Sequence, residues 1–279
     1  MKSLITKTLV QIALEEDIGS GDITTKALVD PDLCGKATII AKQELVIAGL
    51  EMVNSVYQAL SPNNQFIPNC QDGDTITTGQ MVCEIKGSLC SLLEGERTAL
   101  NFLQRMSGIA TQTRRYVNLL NRKKPLLVDT RKTLPGWRRL EKIAVRIGGA
   151  MNHRMGLYDG VLIKDNHIMV SGGIGPAIAC IRQKVSHLTK IEIEVENFDQ
   201  LEQALAAKVD VIMLDNMTIN DIHLAVQKIN GQALVEVSGG ITLEHIQKIA
   251  DTGVDIISIG ALTHSAQAVD LSMQIEQDS

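Results

Sequence analysis

In the second half of the chain, a short β-branched apolar run ending on a polar residue or glycine is followed by about ten residues of helical patterning, and the pair recurs. The runs span 126–128 before Asp129, 160–163 before Lys164, 191–195 around Glu194, 209–214 before Asp215, 233–237 before Ser238 and 254–259 before Gly260. Such alternation argues for parallel βαβ units. The successive markers 164, 194, 215, 238 and 260 lie 30, 21, 23 and 22 residues apart, about one strand, one helix and two loops. An α/β barrel fits this spacing better than a sandwich. A doubly wound open sheet is the alternative, but no G-x-G-x-x-G follows a strand to support a dinucleotide fold.

Residues 1–107 read differently. A helical opening ends at the turn-rich stretch 17–22, and the short runs 36–41 and 81–85 have strand character between Gly, Pro and Asn. The run 92–107 then carries Leu93, Leu100 and Leu103 at helical spacing. A separate α+β domain leading into the barrel is expected. A chain of 279 residues is long enough for one barrel-sized domain or two smaller ones.

Composition narrows the function classes. Aromatic residues are only 3% of the chain and the formal charge is −5, so stacking platforms and attraction to a phosphate backbone are both lacking and no nucleic-acid partner is expected. The five cysteines, Cys34, Cys70, Cys83, Cys90 and Cys180, include no C-x-x-C pair. They read as reduced, mostly buried thiols rather than a disulfide framework or zinc site. The opening MKSLITKTLVQIALEED turns acidic before any long apolar run accumulates, so neither a signal peptide nor a membrane span is expected there. No membrane partner and a cytoplasmic address are the resulting expectations.

In a barrel the βα loops gather around one mouth at the carboxyl ends of the strands. That rule brings together Arg131, Lys132, Lys164, Glu194, Asp215 and the turn Ser238, Gly239, Gly240. A helical segment over 138–152, ending in Asn152, His153 and Arg154, adds two more cations. Any one of these alone would read as a solvated loop charge. Glu192, Glu194 and Glu196 alternate with Ile191, Ile193 and Val195, which places the glutamates on one face of a strand and, if the aliphatics pack under helices, turns them to the barrel interior. Buried carboxylates need cations or a metal. Glu194 and Asp215 suit Mg²⁺, which takes one or two carboxylates with substrate oxygens and water. Structural ion pairing between the two charge classes ranks second.

Ser238, Gly239 and Gly240 follow an apolar run and precede helical patterning over 242–250, so their amides could approach a phosphate at a helix N-terminus. A plain tight turn explains that segment equally well. Gly260 at the next strand end favours phosphate, since barrel phosphate sites commonly combine the last two strands.

The stretches ALEEDIGSGDITT, GERTALNFLQRMSGIAT, DTRKTLPGWRRLEKIAVRIGGAMNHRMGLYDGVLIKDNHI, EIEVEN, IMLDNM, EVSGGI and ISIGALTHS resemble the quinolinate phosphoribosyltransferase family, the carboxylating nicotinate-nucleotide diphosphorylases. The resemblance implies a type II phosphoribosyltransferase architecture. An N-terminal α/β sandwich-like domain, 1–107, is joined by the tail 265–279, and an open α/β barrel occupies 108–264. It further implies a dimer, or a hexamer built of dimers, in which the N-terminal domain of one subunit covers the barrel mouth of its neighbour. Carried over by position, quinolinate would meet Arg131, His153, Arg154 and Lys164, with Arg97 reaching in from the partner. Lys132, Glu194 and Asp215 would hold 5-phosphoribosyl 1-diphosphate with Mg²⁺, and Ser238, Gly239, Gly240 and Gly260 its 5′-phosphate. Lys132, Lys164, Glu194 and Asp215 would carry the catalytic roles, with no organic cofactor.

Two rivals share the barrel. A fold relative associated with molybdenum transport is expected to lack the intact TRKT, NHR and LIKDNH cations. A Schiff-base lyase would use Lys164, because strand-end lysines form imines when desolvated.

Overall fold

The computed structural model describes residues 4–120 and 124–278, and the chain divides into two compact units. The first comprises 1–112, 146–148 and 266–279, and the second 113–145 and 149–265.

The first unit opens with α1 (Leu4–Ile18) and α2 (Ile23–Leu28). Asp22 begins α2, its carboxylate accepting the Thr24 and Thr25 backbone N–H groups at 2.9 and 3.1 Å. This satisfies donors that a helix start leaves free. There follow β1 (Cys34–Ala41), β2 (Leu45–Val46), α3 (Leu50–Leu60), β3 (Gln65–Pro68), β4 (Thr75–Ile76) and β5 (Met81–Ser88). The chain's last strand, β12 (Leu271–Gln277), pairs antiparallel with β1, giving a four-stranded sheet ordered β12-β1-β5-β3. Ala37, Ile39 and Ala41 alternate along β1 and are fully buried, the period-two signature of a strand with one face in the core.

The helix read over 92–107 is longer. As α4 it runs Leu89–Leu120. Its buried stripe continues through Ile109, Ala110, Thr113 and Tyr116, and the polar run from Gln112 to Arg115 conceals that periodicity in the sequence.

The second unit is built on β6 (Leu126–Val128), β7 (Val161–Ile163), β8 (Ile191–Val195), β9 (Val211–Asp215), β10 (Leu234–Ser238) and β11 (Ile256–Ser258). All neighbours are parallel, in the order β6-β11-β10-β9-β8-β7. A parallel bridge from Val128 to Met151 extends the free side of β6. This is the open α/β barrel. The helices α5 (Arg138–Gly148), α6 (Asp165–Val170), α7 (Ile174–Lys184), α8 (Phe198–Ala206), α9 (Ile219–Ile229), α10 (Ile246–Ala250) and α11 (Ala261–His264) make the connections. Ser238 is in register with Asp215, and Val195 with Leu214, so these strands end at one level and their following loops share one rim.

Several readings need correction. The helix expected over 138–152 stops at Gly148, because Gly149 takes a left-handed φ of +103°. Met151 instead bridges to Val128 beside β6, and residues 152–154 belong to no helix or strand. The helix expected over 242–250 begins only at Ile246, which removes a helix N-terminus from Gly240. Glu196 lies one residue past β8, exposed, with its N–H bonded to Gln200; only Glu192 and Glu194 of the three follow the strand's alternation. Among the cysteines only Cys83 is buried, while Cys34 and Cys180 are exposed, at a strand start and on a helix. No helix among the described residues is long and apolar enough to cross a membrane.

Candidate active site

The rim loops of the barrel surround a cavity of about 460 Å³. Of the residues that the resemblance assigns to the two substrates, all but Arg97 and Gly260 line it; Asn152, Glu192 and Glu196 do not. Arg131 and Lys132 come from the loop after β6, His153 and Arg154 from the segment before β7, Lys164 from the end of β7, Glu194 from β8, Asp215 from β9, and the Ser238–Gly240 turn from β10.

Cations dominate one side of this cavity and are incompletely partnered. Arg154 donates from Nη1 to the Gly160 carbonyl at 2.9 Å. The Nε atoms of Arg131 and Arg154 are both buried without a hydrogen-bond partner among the described residues. Burial, and then the like charge of Arg131, holds the Arg154 guanidinium below its ordinary pKa. Both arginines are half-buried, a buried Nε donor left unspent is costly, and a bidentate anion would satisfy it. Lys164 is ion-paired with Glu194. Among the described residues Lys132 makes no ion pair; its backbone carbonyl accepts from the Thr263 hydroxyl at 2.7 Å.

His153 stands beside two carboxylates: Glu192, which the strand alternation had turned inward, and Glu236, which the sequence reading did not select. Its Nε2 is 3.1 Å from Glu192 and 3.7 Å from Glu236, while Nδ1 accepts the Arg154 backbone N–H at 2.8 Å. That last bond leaves the proton on Nε2, pointing at Glu192. Burial works against the imidazolium, but Glu192 and Glu236 outweigh it and raise the His153 pKa. Glu236 is 2% exposed, and burial, followed by repulsion from Glu192, pushes its carboxyl up to about 8. His153, Glu192 and Glu236 could offer three metal-ligand atoms within 4.8 Å of one another, but the hydrogen bond between His153 and Glu192 accounts for the grouping.

An expected result follows for pH. Unfolded Glu236 ionises near its ordinary value of 4.5, whereas the folded group holds its proton to about 8. The folded protein therefore binds more protons across that window, and stability falls as pH rises through it. His153, also raised, acts in the same sense. Glu236→Gln resembles the protonated acid, so its thermal midpoint should vary less with pH over this window than the wild type's. Identical slopes would remove Glu236 as the source.

The turn after β10 is set by backbone geometry. A β-carbon at Gly239, where φ is +97°, would lie 2.1 Å from Asn216 Oδ1, so only glycine lets the Asn216 side chain, which donates to Asp215 at 3.0 Å, lie against the turn. The β-carbon position of Gly240 meets nothing within 4 Å, leaving its backbone open to a ligand. Gly260 lies behind Lys132, since a β-carbon there would be 2.9 Å from Lys132 Cδ. Arg97 belongs to the first unit, on α4, 60% exposed and 3.9 Å from Glu96.

Sequence reasoning gave no role to Asp129, Lys142 and Asn152, which do not line the cavity and are joined to one another. Glu236 could have been found by the rule that flagged Glu192, because it alternates with buried Val235 and Val237. Lys142 carried no signal, since a lysine on a charged helix reads as solvent-facing.

Comparison with known proteins gives a consistent set of likenesses. Residues 22–107 match the family description "Quinolinate phosphoribosyl transferase, N-terminal domain", and residues 109–274 the corresponding C-terminal domain. A probable carboxylating nicotinate-nucleotide pyrophosphorylase of Bacillus subtilis is 43% identical over 99% of this chain and 95% of its own length. A mitochondrial decarboxylating quinolinate phosphoribosyltransferase of Nicotiana tabacum is 40% identical over 98% of this chain and 82% of its own. The crystal structure of NadC from Streptococcus pyogenes superposes with a TM-score of 0.96 at 40% identity, covering 100% of this chain and 99% of that one.

Proposed function

The chain belongs to the quinolinate phosphoribosyltransferase family, a family of pentosyltransferases, and from that premise we propose that it transfers phosphoribosyl from 5-phosphoribosyl 1-diphosphate to quinolinate with loss of carbon dioxide. The ring nitrogen attacks the anomeric carbon and diphosphate departs. The ribosylated nitrogen is then a cation, so the carboxylate beside it can leave as carbon dioxide, its bonding electrons remaining on the ring carbon until a proton arrives. Nicotinate mononucleotide is the product, the pyridine-nucleotide precursor of de novo NAD biosynthesis.

The observation that carries this reading is the pair of buried, unpartnered guanidinium Nε atoms on Arg131 and Arg154. With His153 and Lys164 on the same cavity, they suit a small ligand bearing two carboxylates. Lys132 and the turn of Ser238, Gly239 and Gly240 line the same cavity; the turn's exposed backbone suits the donor's 5′-phosphate, and Gly260 leaves room for the Lys132 side chain. Glu194 and Asp215 are hard oxygen donors on adjacent strands and line the same cavity, a set that fits Mg²⁺. Bound there, the ion would offset charge on the departing diphosphate. Arg97 would complete the quinolinate site of a neighbouring subunit in a dimer, or in a hexamer built of dimers.

The rivals lose ground on particulars. A Schiff-base lysine needs a desolvated, neutral amine, whereas Lys164 is 43% exposed and ion-paired with Glu194. A barrel without the dicarboxylate cations has no use for Arg131, His153, Arg154 and Lys164 around one cavity.

Diphosphate release dependent on both quinolinate and 5-phosphoribosyl 1-diphosphate tests the reading, and its absence would sink it. Glu194→Ala and Asp215→Ala should fold normally yet lose Mg²⁺-dependent donor binding, each lowering kcat by on the order of 10²-fold. Titration calorimetry with the donor, with and without Mg²⁺, measures this. Intact donor binding with a collapsed thermal midpoint would assign these carboxylates to the fold instead.

A further inference from the structure

Behind the cavity wall, Asp129 and Lys142 form an ion pair in which both side chains are 0% exposed, Nζ to Oδ1 2.5 Å. Neither lines the cavity. An ammonium has three N–H donors, and those of Lys142 go to Asp129, to the His153 carbonyl at 2.9 Å and to the Arg154 carbonyl at 3.0 Å. Asp129 Oδ1 also accepts the His153 backbone N–H at 2.9 Å, and Oδ2 accepts Asn152 Nδ2 at 2.6 Å. Asn152 Nδ2 in turn reaches the Lys142 carbonyl at 2.9 Å. Residues 152–154 belong to no helix or strand, so these bonds take the place of secondary structure in fixing them.

Stability alone does not explain the pair. Removing two charges from water generally costs as much as their attraction returns, and apolar replacements of similar volume are often neutral or stabilising. Burial pushes the Asp129 carboxyl above its ordinary range despite Lys142, Asn152 and the His153 amide, so the partners do not fully offset desolvation. What the pair does provide is direction: one buried ammonium holds two successive carbonyls whose side chains face the cavity.

We propose that Asp129 and Lys142, with Asn152, are positioning residues that set His153 and Arg154 for the substrate carboxylates. The inference rests on the reading of the cavity as a quinolinate site. Displacement of a binding group by about 1 Å can cost on the order of 10²-fold in rate, so a backbone clamp is a specificity element even though it touches no ligand.

The discriminating protein is the double variant Asp129→Leu/Lys142→Met, which removes both charges and leaves neither buried alone. The His153 N–H and the His153 and Arg154 carbonyls lose buried partners in it, so a lower thermal midpoint is expected, and the assays are read at a temperature where it is fully folded. Its KM for quinolinate should rise by at least tenfold, with kcat/KM falling on the order of 10²-fold and affinity for 5-phosphoribosyl 1-diphosphate unchanged. A merely structural pair would change the midpoint or the active fraction and leave the quinolinate KM alone. Asn152→Ala keeps the ion pair and supplies a second arm should the double variant fail to fold; it too should weaken quinolinate selectively. Unchanged quinolinate affinity in either folded variant, or equal loss of both substrates, overturns the positioning role. Wild-type protein that binds no quinolinate overturns the underlying reading of the cavity instead.

Discussion

Nicotinate, offered in place of quinolinate with the same ribosyl donor, should react with a kcat/KM lower by on the order of 10⁴-fold. The two ligands differ by one carboxylate, and the cavity is arranged for that difference. Arg131 and Arg154 are close enough for repulsion to contribute to the lowered pKa of Arg154, and each keeps a buried Nε donor without a partner. A dianion neutralises both groups, whereas a monoanion leaves a desolvated cation unsatisfied. Sites with buried polar groups reject an analogue lacking the matching group far more strongly than apolar pockets reject a missing methylene. Both ligands would give nicotinate mononucleotide, only quinolinate with carbon dioxide, so chromatographic product formation under matched conditions measures the ratio directly. Comparable turnover would mean that these cations do not select the second carboxylate.

How far such a site can be read from sequence depends on which physical signals survive in one dimension. Strand ends survive well. Lys164, Glu194, Asp215 and Ser238 follow or end β-branched runs, and a parallel barrel has one rim on which those ends can gather, so periodicity and spacing suffice to collect them. Helix limits survive less well. The stop at Gly148 depends on a left-handed Gly149, one of several glycines that could have served. The late start of α10 at Ile246 follows no cap residue that distinguishes it from Thr242. The interior of α4 is concealed by Thr113, a hydroxyl buried where the pattern calls for an apolar group. Least legible are buried charges. Lys142 and Asp129 are defined by each other, across a helix and a strand end, and a linear reading assigns each to solvent because lone charges are rarely buried. Glu236 is intermediate: its alternation with valines marks the face, but only its burial and the nearby Glu192, neither visible in one dimension, explain why its carboxyl is pushed up to about 8.

Subunit exchange between an Arg97→Ala protein and a Lys164→Ala protein, each inactive alone, should restore about a quarter of full activity. Within its own chain Arg97 is weakly held. Its contact is with the adjacent Glu96 at 3.9 Å, on a side chain 60% exposed, and exposed pairs of this kind contribute about 0–1 kcal/mol. It lies in the first unit, whereas the remaining quinolinate-binding candidates lie in the second. If two-fold symmetry places Arg97 at the neighbour's cavity, a site consists of Arg97 from one subunit and Lys164 from the other. In a dimer mixing the two variants, one site then receives both defects and the other neither. Random exchange makes roughly half the dimers mixed, and each carries one intact site of its two, which gives the quarter. A hexamer built of dimers gives the same fraction, provided that exchange occurs within the dimer contact. If Arg97 served its own chain, every site in every mixture would keep one defect, and activity would stay at that of the single variants. Native mass spectrometry establishes that mixed dimers have formed before the assay is read. Mixed dimers without recovered activity would exclude the shared site and return Arg97 to the surface of α4.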